Sequence, residues 1–343
     1  MRLGVIGTGY MARQMCAAAS AMSGMSVAAV LSRDFTRAQA FCAQTAKGAI
    51  AFDDRTAFLS AVDAVYIATP SNTHLTEIVP ALNAGRPVLC EKPLTSSPQD
   101  TERAIAYARE ARVLLMEAVW TLTLPAFQAL AAQVSGMKTR TRRLTFDFSY
   151  PLHVNQGTHY LDPITGGVLL DRGVYAYAAA IVLLGSVSRQ HAFVTFDDTG
   201  LDRAAEIRTE HESGACGLLT LSFDVLGSNR LEIATALGLA QLGPPSLAAE
   251  ALDWSVASSR SGTEDAGRDS LKTWLKSAPL LRKLKWKRDQ ARGQFFSFGA
   301  SIYLPLLKEF SQAAAMGTES ATVPLSLSYD IATLVEAARK APP

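Results

Sequence analysis

Few cysteines, no long apolar run and almost no net charge mark this sequence, and each absence excludes a class of protein. The four cysteines lie far apart without CxxC spacing, which predicts free thiols rather than a disulfide framework. The longest apolar run, Val174–Leu184, is much shorter than the roughly 20 residues that a membrane span needs. A net charge of +2 gives no reason to expect a nucleic-acid partner.

Two further absences narrow the prediction. Residues 1–6 read as a strand and leave no room for a charged segment followed by an apolar one, so we expect no secretion signal and a cytoplasmic protein. Histidine, cysteine and acidic residues nowhere have the spacing of metal ligands, so we expect no metal. The function must therefore be sought in local motifs.

Residues 1–120 alternate short apolar runs with segments of helical periodicity. Continuous apolar runs are typical of strands buried on both faces, and intervening helices connect such strands in parallel. We predict an α/β Rossmann domain with a doubly wound parallel sheet. The predicted strands are 3–6, 27–31, 64–68, 88–89 and 113–116, and the predicted helices are 11–20, 36–44, 73–84 and 99–111.

Residues 121–343 follow a different pattern, in which apolar and polar residues mostly alternate from about residue 140. This alternation predicts an α+β domain with an open, mostly antiparallel sheet. The predicted strands are 142–150, 191–197, 204–211, 216–223, 230–236 and 252–258. One helix is predicted at 171–184, and two more, at 304–315 and 327–339, are expected to pack back toward the first domain.

A glycine-rich turn joins the first predicted strand to the first predicted helix. In this context, G-x-G-x-x-A indicates a dinucleotide site, because the glycines allow a tight turn and close approach of the pyrophosphate to the helix N-terminus. The residues expected to contact the cofactor here are Gly7, Thr8, Gly9, Tyr10, Met11 and Ala12.

The end of the second strand distinguishes the two nicotinamide cofactors. An acid at this point holds the ribose 2′-hydroxyl of NAD, whereas the 2′-phosphate of NADP needs a hydroxyl or a cation. The chain offers Ser32, Arg33 and Arg37, with Asp34 among them as an opposing signal. We expect NADP(H) to be preferred and NAD(H) to be possible; ordinary surface arginines are the alternative interpretation.

Two later strands end in segments that face the same edge of the sheet. The first is Thr69-Pro70-Ser71-Asn72 and the second is Glu91-Lys92-Pro93. Ligands of open α/β sheets bind beyond the carboxyl ends of the strands. An ammonium group at this edge can stabilise the negative charge that develops on a substrate oxygen during hydride transfer. A structural pair of Lys92 with Glu91 is the alternative.

Several segments together resemble one known family, that of glucose-fructose oxidoreductase, inositol dehydrogenase and rhizopine catabolism (Gfo/Idh/MocA). The matching motifs resemble most closely the branch of dihydrodiol and D-xylose dehydrogenases. They span nearly the whole chain: 7–12, 68–70 with Asn72 and His74, 84–94, 116–121, 166–175 and 324–338. The resemblance implies a Rossmann domain at 1–120 and a substrate-binding and oligomerisation domain at 121–343, whose sheet forms a homodimer or homotetramer.

The resemblance also implies roles for individual residues. Lys92 is the expected catalytic lysine, with Asp171 and Tyr175 projecting from one face of a helix to assist it. Asp171 would orient the substrate or the lysine, or else be an ordinary N-terminal helix carboxylate. Tyr175 would relay the substrate proton if the neighbouring ammonium lowers its pKa toward the working range. Further residues expected at the cofactor are Thr69, Pro70, Asn72, His74, Glu91, Lys92 and Glu117.

Two features have no assigned role. His153 and His159 could reach substrate hydroxyls or be ordinary loop histidines. The basic, tryptophan-containing segment 272–292 fits a solvated helix, a pocket for an anionic ligand or a membrane surface. The sequence thus predicts an NADP-dependent oxidoreductase acting on a sugar, polyol or ketosugar, including nucleotide-linked ones. A regulator that senses NADP or a sugar without reacting is the alternative.

Overall fold

A computed structural model describes residues 1–136, 142–152, 158–163, 165–256 and 293–341. Within this part of the chain, a six-stranded parallel sheet is followed by an eight-stranded mixed sheet. This confirms the predicted fold class, a doubly wound Rossmann domain followed by an α+β region. The domain boundary at residue 120 stays a prediction.

The first sheet has the strand order β3-β2-β1-β4-β5-β6. Its strands form as expected for segments covered on both faces, since every residue of β4 and all but the first of β1 are buried. The order reverses between β1 and β4, which creates a crevice at the carboxyl ends of these two strands. The strands are β1 (Arg2–Ile6), β2 (Ser26–Leu31), β3 (Ile50–Phe52), β4 (Ala64–Ile67), β5 (Val88–Cys90) and β6 (Leu115–Glu117).

Helices connect these strands, and local signals in the sequence fix where several of them start. Asp34, Asp54 and Ser97 each accept a hydrogen bond from a backbone N–H in the first turn of the following helix. The helices are α1 (Tyr10–Ser20), α2 (Phe35–Gln44), α3 (Arg55–Ser60), α4 (His74–Asn83), α5 (Pro98–Ala111) and α6 (Pro125–Ser135).

The second sheet has the order β14-β13-β12-β11-β7-β10-β9-β8, and among its neighbours β7 and β10 are parallel. On β8 to β10, residues such as Ile207 and Leu219 are buried, while Phe193, Arg208 and Leu218 on the opposite face are exposed. The strands are β7 (Arg142–Ser149), β8 (Val187–Phe196), β9 (Asp202–His211), β10 (Cys216–Ser222), β11 (Leu231–Thr235), β12 (Gly238–Leu242), β13 (Ala251–Val256) and β14 (Gly293–Phe295).

Three further helices lie in the described part of the chain after β7. A π-helical turn at Leu169–Gly173 leads into α7 (Val174–Leu184), which packs on β7 and β10. Near the end of the chain, α8 (Leu304–Met316) contacts α1, and α9 (Leu325–Arg339) contacts α5, β6 and α7. Both helices therefore touch the Rossmann sheet or its helices. None of the helices in the described ranges is long and apolar enough to cross a membrane.

The sequence analysis missed several elements, of which three show the reasons. Strand β3 has only three residues at the edge of its sheet, too few to show a period. Strand β12 follows β11 after a tight turn and pairs with it, whereas the predicted strand 230–236 covers β11 alone. Helix α6 begins at Pro125 in a mostly apolar stretch that has no side-chain cap to mark it.

Candidate active site

The glycine turn after β1 has the shape that a bound dinucleotide requires. Gly7 has a φ of +109°, and a Cβ there would lie 2.5 Å from the carbonyl oxygen of Ala68, so only glycine fits. Gly9 precedes α1, has open space where a Cβ would be, and provides no side-chain cap. The first N–H groups of α1 are thus free for an anion, while Ala12 is fully buried beneath them.

The remaining residues of this turn differ in exposure. The Tyr10 side chain is 69% exposed beside the crevice. Met11 turns the other way, and its Sδ accepts a hydrogen bond from the Tyr303 hydroxyl at 3.9 Å. The turn therefore offers its backbone, with Thr8 half-buried, as the surface that fits a pyrophosphate.

Asp34, the acidic residue at the end of β2, contacts the start of α2. Asp34 caps α2 by accepting from the Arg37 N–H at 3.2 Å, and its other oxygen lies 3.4 Å from the Arg37 guanidinium. Its carboxylate is thereby engaged by the helix start. Ser32 is half-buried and Arg33 is exposed at the same strand end.

The centre of the candidate site is Lys92, which follows β5. Its Nζ donates to Asp171 Oδ1 at 2.6 Å and to the Asp171 carbonyl oxygen at 2.8 Å. The same nitrogen lies 5.0 Å from the centre of the Tyr175 ring. Lys92, Asp171 and Tyr175 are far apart in the sequence, yet their side chains meet at one point.

The π-helical turn positions Asp171, and two buried groups hold this turn. Asp202 accepts from the Leu169 N–H at 2.7 Å. Arg172 lies between the rings of Phe148 and Phe223, with its guanidinium carbon 4.8 and 4.5 Å from their centres. The extra residue of a π turn changes the direction of side chains. Asp171 and Tyr175 consequently both reach Lys92, one from the turn and one from α7.

Burial and neighbouring charge act differently on the two central groups. Burial disfavours the charged lysine, yet Asp171 and Tyr175 outweigh it and raise the pKa of Lys92 above its usual value. Burial raises the pKa of Tyr175 above its usual value, against the opposing effects of Lys92 and the Trp120 N–H. The ammonium thus opposes the rise in the Tyr175 pKa without outweighing burial. Both groups are protonated at neutral pH.

An aromatic cluster that sequence reasoning missed surrounds Tyr175. The Trp120 Nε1–H donates to the Tyr175 oxygen at 2.9 Å. Trp120 also makes an edge-to-face contact with Tyr303, whose ring centre is 5.5 Å away. The segment 116–121 was singled out for its resemblance, but no sequence spacing indicates that Trp120 contacts a residue 55 positions later.

Three residues predicted to contact the cofactor have buried side chains that support the Lys92 loop, and their contact with the cofactor stays a prediction. His74 directs Nε2 to the Thr69 carbonyl and Nδ1 to the carbonyls of Pro93 and Leu94, so both ring nitrogens are occupied. Glu91 Oε1 accepts from the Tyr66 hydroxyl at 2.5 Å. Glu117 contacts this loop as well, through the Leu94 N–H.

Glu117 ends β6 and is almost completely buried. Its Oε1 accepts from the Leu94 N–H at 2.8 Å. Burial raises the pKa of Glu117 to about 7, although the nearby Ser328 hydroxyl, the Leu94 N–H and Lys92 oppose this shift. A carboxyl that is neutral when folded and ionised when unfolded makes stability depend on pH.

We expect Glu117→Gln to remove part of that dependence. Between the ordinary glutamate pKa of 4.5 and about 7, the folded protein binds the proton and the unfolded chain does not, so wild-type stability falls as the pH rises. Over this range the wild type should lose roughly 2–3 kcal/mol more than the variant. Urea unfolding at pH 4.5 and 7.5 measures this, with Glu110→Gln, an exposed glutamate on α5, as the control. Parallel losses in wild type and Glu117→Gln contradict it.

The other predicted residues lie where the strand order placed them. Thr69, Pro70 and Asn72 form the loop after β4, with Pro70 and Asn72 exposed. Among the described residues, no group of three or more histidine, cysteine or acidic side chains is arranged to hold a metal ion. The segment 272–292 and His153 lie outside the described residues, as does the side chain of His159.

Comparisons with known proteins point to one family. The model of the GFO/IDH/MocA oxidoreductase family with an NAD-binding Rossmann fold matches residues 1–119, and that of the GFO/IDH/MocA C-terminal domain matches residues 129–240. A D-xylose 1-dehydrogenase (NADP(+)) from Haloferax volcanii is 32% identical over 264 residues, which are 73% of this chain and 79% of that protein. The trans-1,2-dihydrobenzene-1,2-diol dehydrogenase of Mus musculus is 28% identical over 71% of this chain and 74% of its own.

A solved structure shares the fold over nearly the whole length. KijD10, a 3-ketoreductase from Actinomadura kijaniata in complex with NADP and TDP-benzene, superposes with a TM-score of 0.77 and 24% identity. The superposition covers 99% of this chain and 97% of KijD10. Both sheets of the present chain therefore belong to one known architecture.

Proposed function

This chain belongs to the GFO/IDH/MocA oxidoreductase family, and we propose that it is an NADP(H)-dependent oxidoreductase that acts on a sugar, polyol or ketosugar. The observation that carries the proposal is the meeting of Lys92, Asp171 and Tyr175 at the carboxyl edge of the parallel sheet. The crevice between β1 and β4, with its glycine turn, lies at the same edge.

The nicotinamide, when bound, supplies or accepts the hydride. Lys92 binds the substrate oxygen through its ammonium and stabilises the negative charge that develops there. Asp171 fixes the direction of that ammonium through the 2.6 Å ion pair. The Tyr175 oxygen accepts from Trp120, so its own proton is available for the substrate oxygen.

The protonation of the two groups favours reduction of a carbonyl group. Lys92 and Tyr175 both carry their protons at neutral pH. A carbonyl that gains a hydride becomes an alkoxide, which needs a cation beside it and a proton donor within reach. We therefore propose ketone reduction as the direction in which these residues act best. Two relatives of matching chemistry are named dTDP-3,4-didehydro-2,6-dideoxy-alpha-D-glucose 3-reductases.

A spectrophotometric panel tests the proposed function. NADPH oxidation at 340 nm is followed with simple ketosugars, nucleotide-linked ketosugars and vicinal diketones, and NADP reduction with D-xylose and inositols. We expect turnover in at least one class. Tight NADPH binding without turnover in any class would instead favour the sensor, which needs no proton donor beside its ligand.

The preference for NADP rests on the end of β2, where Ser32 and Arg33 are available and Asp34 is engaged. We expect Arg33→Ala to weaken NADPH binding about tenfold and to leave NADH binding almost unchanged, because Arg33 would contact only the 2′-phosphate. Isothermal titration calorimetry measures both. Arg109→Ala removes an exposed arginine from the last turn of α5 and serves as the control. Equal losses for the two cofactors would refute the role of Arg33.

Self-association through the second sheet remains a proposal. Phe193, 72% exposed, and Leu218 lie on the outer face of β8 to β10, where apolar side chains are costly if they stay in water. The exposed apolar side chains on this face are the reason to propose a homodimer or homotetramer. Sedimentation of the purified protein, with Phe193→Lys for comparison, tests it.

A further inference from the structure

Arg13 is an exposed arginine in the first turn of α1, shortly after the glycine turn. Its guanidinium carbon lies 5.8 Å from the centre of the Phe41 ring, which belongs to α2. A cation above an aromatic ring is attracted by the negative face of that ring. The Arg13 side chain is therefore directed across the groove between α1 and α2, although solvent reaches it.

Arg13 lies at the same edge of the sheet as the end of β2. β1 and β2 are parallel neighbours, and the Gly7 N–H donates to the Leu31 carbonyl at 3.0 Å, which ties the glycine turn to that strand end. Both α1 and α2 begin within a few residues of these strand ends. Helical side chains lean toward the N-terminus of their helix. Arg13 and the Phe41 ring consequently lean toward this edge.

Two further arginines lie beside this groove. Arg37 is four residues before Phe41, so the two side chains share one face of α2. Arg33 precedes α2 in the loop after β2 and is exposed. Three guanidinium groups from three elements, namely α1, the β2–α2 loop and α2, thus lie around the end of β2.

The positive charges of this cluster exceed its negative charge. Asp34 pairs with Arg37 at 3.4 Å. Within the described part of the chain, neither Arg13 nor Arg33 forms an ion pair with a carboxylate. Two unpaired guanidinium groups match a phosphate monoester, whose charge is about −2 at neutral pH. A guanidinium group also offers phosphate oxygens a planar pair of donors.

We propose that Arg13 is a further ligand of the 2′-phosphate of NADP(H), acting together with Arg33, and that Phe41 is the positioning residue that directs it. This role rests on the proposed function, because it needs NADP(H) in the crevice. The selectivity for NADP over NAD then depends on α1 as well as on the end of β2.

Two nucleotides that differ only in the 2′-phosphate test this role on the full-length protein: 2′-phospho-ADP-ribose and ADP-ribose. In calorimetric titrations the wild type should bind the phosphorylated nucleotide more tightly. Arg13→Ala should weaken this binding about tenfold and change the Kd for ADP-ribose less than about twofold, because only the 2′-phosphate loses a charge-assisted hydrogen bond. Arg13→Lys keeps the charge without the planar donors and should lie between. Arg109→Ala, on α5, is the control.

The outcomes separate the role of Arg13 from the proposed cofactor preference. In one contrary outcome, the wild type prefers 2′-phospho-ADP-ribose and Arg33→Ala lowers the preference, but Arg13→Ala leaves it unchanged. Arg13 then only packs on Phe41, and its proposed role is wrong. Equal affinity of the wild type for the two nucleotides would overturn the NADP preference itself, and the role of Arg13 with it.

Phe41→Leu tests the positioning role. Phe41 is 3% exposed, so the variant keeps a buried aliphatic side chain and loses only the ring. We expect the preference for 2′-phospho-ADP-ribose over ADP-ribose to fall about threefold, because Arg13 is no longer held across the groove. A general loss of stability would weaken the binding of both nucleotides and leave the preference unchanged.

A double variant completes the test of Phe41. In Arg13→Ala with Phe41→Leu, the preference should equal that of Arg13→Ala alone, since the ring acts through the arginine. An unchanged preference in Phe41→Leu, or an additional loss in the double variant, would refute the positioning role.

Discussion

Lys92→Ala is expected to lower kcat about a thousandfold while the Kd for NADPH stays within about twofold of the wild-type value. The reason is geometric: Nζ of Lys92 is directed by two hydrogen bonds to Asp171 and lies against the Tyr175 ring. A group held in this way contributes to the transition state more than to the binding of the cofactor. Steady-state kinetics with the best substrate of the panel and calorimetric titration with NADPH measure the two quantities.

Two companion variants separate chemistry from stability. Lys92→Ala removes the closest partner of the half-buried Asp171 carboxylate and leaves it Arg172 at 3.8 Å, which can destabilise the fold. The double variant Lys92→Ala with Asp171→Asn removes this carboxylate as well and should be equally inactive. Lys308→Ala, an exposed lysine on α8, should keep full activity. A kcat within about tenfold of wild type in the double variant would show that Lys92 does not act on the substrate.

Tyr175→Phe is expected to lower kcat for reduction about a hundredfold, because it removes the proton donor but keeps the ring beside Lys92. The solvent deuterium isotope effect on kcat should also change, since a proton no longer comes from the phenol. Tyr177→Phe is a matched control on the same helix: its buried hydroxyl donates to Gln190 Oε1 at 2.6 Å, away from Lys92. Equal losses in the two variants would mean that the Tyr175 hydroxyl has only a structural role.

Trp120→Phe distinguishes positioning from catalysis in the same cluster. It leaves the phenol in place but removes the N–H that donates to it at 2.9 Å. We expect a loss of about tenfold in kcat, smaller than that of Tyr175→Phe, with the isotope effect retained. In this variant the Tyr175 hydroxyl keeps its proton but loses the hydrogen bond that fixes its direction.

The crevice and the Lys92 loop could be predicted because their signals are local. The glycine turn needs a positive φ at Gly7, which few other residues tolerate, and the turn joins two elements whose patterns are clear. Strand ends of a parallel sheet must meet at one edge, so Thr69 and Lys92 could be placed together from their positions after β4 and β5. The family resemblance added Asp171 and Tyr175.

The supporting contacts could not be predicted, because each depends on the direction of a buried side chain. His74, Glu91 and Glu117 lie next to the site in the sequence, yet each turns toward a carbonyl, a phenol or an amide beneath the Lys92 loop. A polar side chain next to a site pairs with whichever buried group lacks a partner, and that group is known only after the chain has folded.

Sequence alone determined the two-sheet architecture, the glycine turn and the strand edge at which chemistry is expected, since these follow from periodicity and from conformations that few residues can adopt. Only the tertiary structure decided that Asp171 reaches Lys92 from a π-helical turn, that Trp120 contacts the Tyr175 oxygen, and that burial keeps this phenol protonated. Directions of side chains and the solvation of their charges depend on packing between distant segments, which a pattern of residues does not contain.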